Sequence, residues 1–125
     1  NNENFMFYME KKRIIEILLL SIFGAIMILP GFFFWDIAGH ELYHAYKHNP
    51  YVERICVNYN YPYASHVLVD FPDQESRKNY NAEAEAREEI TANKVGRIIS
   101  LTYIVLILAL LIWAINFVKR VDEGR

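Results

Sequence analysis

The chain is 125 residues long, 54% hydrophobic and close to neutral at a formal charge of −2. That length is one domain's worth, and the balance offers no basic surface that would argue for nucleic acid. The one cysteine, Cys56, excludes an intrachain disulfide framework and a cysteine-type zinc cluster. The start at Asn1 rather than methionine is compatible with a leader or a longer N-terminus.

Residues 1–13 form a polar flank that ends in Lys11, Lys12 and Arg13. Residues 14–35 read as a first transmembrane helix, because Ile17 to Trp35 carries no charged side chain and a run of that length crosses a hydrocarbon core of about 30 Å. Pro30-Gly31 should kink or break this span and leave Phe32, Phe33, Phe34 and Trp35 as an interfacial anchor. A buried core helix and a signal peptide are the competing readings. The length of the run and the aromatics after Pro30-Gly31 weigh against both.

Residues 36–97 are the polar middle, expected as helix, hairpin, helix. Asp36 can cap a short helix that runs to about His48, where Asn49-Pro50 stops it. Arg54 to Tyr61 and His66 to Phe71 alternate in polarity, with Ile55, Val57, Tyr59 and Tyr61 on one face of the first run and Val67, Val69 and Phe71 on one face of the second. Around Tyr-Pro-Tyr-Ala-Ser they read as a β-hairpin. Pro72 to Tyr80 reads as a polar loop. Asn81 opens a helix rich in Ala and Glu that continues into the second span.

That second span is residues 98–119, charge-free from Ile98 to Val118 and followed by Lys119 and Arg120 in a tail of residues 120–125. Basic residues outside both spans place the two termini on the cytoplasmic or equivalent side, with the middle segment opposite. The expected fold class is a mainly α membrane protein: two transmembrane helices flanking a small α+β segment with a motif helix and a hairpin.

One pattern in the middle carries chemistry. His40-Glu41-Leu42-Tyr43-His44 is a His-Glu-x-x-His sequence, and residues four apart share one helical face, so both imidazoles can reach one metal ion. Neutral imidazole suits Zn²⁺, and two histidines leave room for a third ligand and a water. Glu41 stands beside them as a general base for that water, whose pKa zinc lowers to about 7. The third ligand must come from elsewhere. His48 is eight residues from His40 but at the expected helix end, and His66 lies in the hairpin. The Glu-rich helix offers Glu83, Glu85, Glu88 and Glu89, several of which must simply form a solvated face.

Arg87-Glu88-Glu89-Ile90-Thr91-Ala92-Asn93-Lys94-Val95-Gly96 contains Glu-x-x-Ala-Asn-x-x-Gly. It resembles the second motif of gluzincin metallopeptidases, and the nearest likeness is to the membrane CAAX-protease and HtpX-type group, which pairs His-Glu-x-x-His with a downstream Glu-x-x-Ala-Asp. The resemblance implies His40, His44 and Glu89 as zinc ligands and Glu41 as catalytic base. Asn93 stands where that group has Asp, the partner of a histidine ligand; an amide can still accept the ring N–H. Glu89, Ala92 and Gly96 then share a face whose small residues let the motif helix approach. By the same geometry Glu88 points away, toward solvent or Arg87. His66 or Arg97 would serve as oxyanion donor.

The expected function is a small membrane-bound zinc metallopeptidase that hydrolyses a peptide or membrane-protein substrate near the bilayer. The alternative is a non-catalytic accessory subunit of a larger membrane complex, or a homo-oligomer, with a structural or relic metal site. Membrane lipid is an expected partner in both, and nucleic acid in neither.

Overall fold

The computed structural model describes residues 2–58, 60 and 64–124. Helix α1 spans Asn2–His48, strands β1 and β2 span Val52–Cys56 and His66–Val69, helix α2 spans Gln74–Asn79, and helix α3 spans Ala82–Glu123. By contact density the chain forms two compact units, one of residues Gly31–Tyr103 and one of the residues up to Pro30 and from Ile104 onward.

The expected break at Pro30-Gly31 is absent. Pro30 lies inside α1, which therefore has no second start at Asp36. Proline costs a helix one N–H and a clash with the preceding turn, but a single loss is tolerated inside a long apolar helix whose neighbours hold the chain in place. Here Phe32 and Phe33 meet edge-to-face, as do Phe34 and Trp35, and Gly31 sits against the Tyr103 ring with no room for a Cβ. Asp36 instead pairs with Arg97, Nε to Oδ1 at 3.4 Å.

The hairpin is present and shorter than the alternation suggests. β1 and β2 pair antiparallel, with Ile55 opposite Val67 and Cys56 opposite His66, and a register shift between Val52 and Arg54. The Asn58 N–H donates to Ser65 Oγ at 2.8 Å and ties the ends of the connection. Tyr59 and Tyr61, expected on the face of Ile55, lie outside the described residues. Val67, Val69 and Phe71 do share one side and line the cavity described below. The segment expected as a polar loop holds α2. Asp73 caps it by accepting from the Ser76 N–H at 2.6 Å, which holds the exposed Asp73 carboxyl below its ordinary pKa. Asn81 caps α3 as expected, its Oδ1 accepting from the Ala84 N–H at 3.0 Å.

Within the Gly31–Tyr103 unit, α1 and α3 pack antiparallel: Gly31 meets Tyr103, Gly39 meets Gly96, and His44 meets Glu88. The α3 side of the contact is a stripe at four-residue spacing, Glu88, Ala92, Gly96 and Ser100, all buried. Ala38, Gly39, Glu41 and His44 are buried on α1. A Cβ on Gly39 would stand 3.0 Å from Gly96 Cα, and one on Gly96 would run into the Asp36 carbonyl oxygen. Two glycines thus bring the backbones together where larger residues would hold them apart.

In the other unit, Gly24 meets the Leu111 side chain with no space for a Cβ, and Trp113 stacks on Phe117. Leu18, Leu19, Ile22, Ile26, Leu106, Leu110 and Ile112 are all more than half exposed. Both long helices are long and apolar enough to cross a membrane, and only 6% of the most apolar stretch of each is buried. A core helix of a water-soluble domain would be mostly covered. Ser21 and Thr102 turn their hydroxyls back to carbonyls of their own helices, at 2.9 and 2.8 Å, so neither presents an unpaired O–H outward.

A methyl group at position 96 has only backbone to push against. Gly96→Ala should therefore lower stability by about 1–3 kcal/mol through overpacking, read as a fall in melting temperature in detergent. Gly124→Ala, whose new Cβ would meet atoms no nearer than 3.5 Å, should change little. Equal melting temperatures for the two variants would contradict the close contact.

Candidate metal centre

The helix α1 carries His40, Glu41, His44 and His48 on consecutive turns, and α3 carries Glu85, Glu88, Glu89 and Asn93 opposite them. Three groups converge. His40 Nε2 and His44 Nε2 are 3.2 Å apart; Glu89 Oε2 lies 3.2 Å from the first and Oε1 3.1 Å from the second. Nitrogen and oxygen ligands about 2.0–2.1 Å from a tetrahedral ion stand about 3.3 Å from one another. The triangle therefore has the dimensions of one face of such a site, and the three residues form a group that could hold a metal ion.

The outer hydrogen bonds fix which ring nitrogens face inward. His40 Nδ1 lies 3.0 Å from Asn93 Oδ1, and an amide oxygen only accepts, so Nδ1 carries the proton and donates. His44 Nδ1 lies 2.6 Å from Glu88 Oε1, and by the same logic it donates to that carboxylate. Each neutral ring then turns an Nε2 lone pair toward the Glu89 carboxylate. Two nitrogen acceptors and two oxygen acceptors then face one point, an arrangement that could hold a cation among them.

Glu41 is buried, with 5% of its surface exposed. Burial pushes its carboxyl above the ordinary pKa, while His40 and His44 pull it down and Glu89 pushes it up further. A carboxylate raised in this way is a better proton acceptor. It lines the same cavity as His40, His44 and Glu89, of about 800 Å³, whose apolar wall is Ile37, Val67, Val69 and Phe71.

The remaining expected residues divide. Asn93 meets His40, as the motif implies. His66 lines the cavity, but its Nδ1 donates to the Ala64 carbonyl at 2.8 Å. The nitrogen left over is Nε2, an acceptor in the neutral ring, so His66 can donate to an oxyanion only when protonated. Arg97 is engaged with Asp36 and lies over the Phe32 ring, 5.6 Å from its centroid; it is not among the residues that line the cavity. Glu83 pairs with Arg87 at 2.7 Å on the exposed face, and Glu85 reaches the cavity rim.

Glu88 departs most from expectation. Rather than pointing to solvent or to Arg87, it is 7% exposed and its Oε1 accepts from both His44 Nδ1 and His48 Nε2, the latter at 2.8 Å. Burial, and after it the charges of Glu88 and Glu85, raise the nearby Tyr80 phenol to about 12, so at neutral pH it stays protonated. The reason is the phase of α3. The buried stripe is centred on Glu88, Ala92, Gly96 and Ser100, not on Glu89. Glu89 sits at the edge of that stripe, facing the cavity, with 46% of its side chain exposed. The four-residue recurrence of Glu88 with the small residues was the sequence signal available for this.

Glu89→Ala removes both oxygens from the triangle. It should abolish metal retention on a desalting column while leaving the helical circular-dichroism signal intact. Equal metal content in wild type and variant would discard Glu89 as a ligand.

No family model, curated protein or solved structure matches the chain.

Proposed function

We propose that the chain is a small membrane-bound zinc metallopeptidase, cleaving a peptide or membrane-protein substrate close to the bilayer. The observation that carries this reading is the acceptor triangle of His40, His44 and Glu89 beside the buried carboxylate of Glu41, inside a cavity with room for a substrate segment. A donor set of two neutral imidazoles and one carboxylate suits Zn²⁺, and three protein ligands leave a fourth position for chemistry.

When bound, zinc would polarise the scissile carbonyl and lower the pKa of a water to about 7. The chain's own groups do the rest. Asn93 and Glu88 hold the two rings in the tautomer that aims Nε2 inward. Glu41 takes a proton from the attacking water, whose oxygen bonds to the carbonyl carbon. As the C–N bond breaks, Glu41 returns that proton to the leaving nitrogen. Ile37, Val67, Val69 and Phe71 offer an apolar wall to substrate side chains. The two long apolar helices support a two-pass arrangement, and the basic residues at positions 11–13 and 119–120 support termini on the cytoplasmic or equivalent side.

The large exposed apolar surface also favours a second reading, in which the helices pack into a larger membrane assembly and the metal site is structural. Glu41 separates the two. Metal analysis of the purified protein should find one zinc per chain in wild type and in Glu41→Gln. Hydrolysis of a peptide library in detergent or nanodiscs should fall about 10²–10⁴-fold in the variant. Zinc binding without any Glu41-dependent hydrolysis would favour the structural role.

Topology is tested independently. Accessibility tags at the two ends of the chain should report the same side of a sealed vesicle. Opposite sides would refute the two-pass arrangement.

A further inference from the structure

The buried carboxylate of Glu88 has no part in the ligand triangle and none in the proton transfers assigned to Glu41. Its surroundings are nonetheless complete. Oε1 accepts from His44 at 2.6 Å and from His48 at 2.8 Å. The two donor rings are themselves packed. His48 meets the Phe71 and Tyr80 rings edge-on, with centroids 5.8 and 5.0 Å away, and Phe71 lies 5.6 Å from Tyr80. These contacts join α1, the segment after β2, the residue that ends α2, and α3 around one carboxylate.

We propose that Glu88 is a positioning residue for the metal site: it holds His44 as the Nδ1–H tautomer, aims its Nε2 at the ion, and is kept in place by His48, whose ring packs on Tyr80. A buried carboxylate is costly unless hydrogen-bonded. Two donors meet that requirement, and one of them, His48, is not a member of the ligand triangle. A carboxylate behind a ligating imidazole also raises the basicity of the nitrogen in front. His40 has only the neutral amide of Asn93 in the same place, so the charge that supports this site enters through Glu88.

His44, His48 and Glu88 also form a group of metal-ligand types. Glu88 Oε1 there already accepts two ring protons, whereas the triangle at Glu89 sets acceptors against acceptors. A cation fits the second better than the first. Glu88 therefore acts through His44 rather than as a ligand.

The test uses the full chain in detergent, with zinc alone as the probe, and has two arms. In the first, zinc affinity is measured by competition with a chromophoric chelator. Glu88→Ala should bind one zinc per chain about 10–100-fold more weakly than wild type, and Glu88→Gln, which keeps an acceptor but loses the charge, should fall between them. Wild-type affinity in both variants overturns the proposal, as does a second zinc in wild type that Glu88→Ala loses. Should Glu88→Ala fail to fold, Glu88→Gln decides: unchanged affinity overturns it. This arm rests on the zinc reading above; the second does not. In zinc-free protein, the ¹⁵N shifts of His44 should report the Nδ1–H tautomer in wild type and Glu88→Gln, and a mixture in Glu88→Ala. An Nε2–H tautomer in wild type overturns the proposal. A chain that binds no zinc yet shows the Nδ1–H tautomer would refute the peptidase and leave Glu88's hold on His44 intact.

Discussion

At Gly39 on α1 and Gly96 on α3 the two backbones come so near that an added Cβ would meet the facing main chain. The side chains that could hold a metal lie near that crossing: His40 and His44 are one and five residues from Gly39, and Glu88 and Glu89 are eight and seven residues from Gly96. Larger residues at 39 or 96 would widen the separation by the thickness of a side chain, and hydrogen bonds of 2.6–3.2 Å have no such slack.

Part of the candidate metal site was legible in local spacing, because the four-residue interval between His40 and His44 dictates a shared face. Spacing alone left Glu83, Glu85, Glu88 and Glu89 open; Glu89 and Asn93 came from the resemblance of the Glu-x-x-Ala-Asn run to a second peptidase motif. The role of Glu88 was not legible from the motif, since adjacent residues on a helix point about 100° apart and only one was read as facing inward. The structure accommodates both because α1 itself presents a broad face: His44 at its centre reaches Glu88 through one nitrogen and Glu89 through the other.

The misplaced elements share a different cause. A proline in mid-span, a capping-type residue at Asp36 and a polar run from Pro72 to Tyr80 are all local signals, and tertiary contact overrode the first two. Gly31 and Trp35 both meet the Tyr103 ring of α3 beyond Pro30, the helix continues, and Asp36 inside it turns to Arg97 instead. Within the polar run, Asp73 did act as a cap, but for a helix of only six residues, too short for any periodicity to announce it.

The cavity that holds His40 and Glu41 has a neighbour of about 400 Å³, lined by Tyr43, Lys47, Arg87 and Thr91 among others. His48 and Tyr80 border both. Two aromatic side chains are thus shared by both spaces, so a change at either one reshapes the two together: removing the His48 or the Tyr80 ring would take wall from the cavity beside His40 and from its neighbour at once.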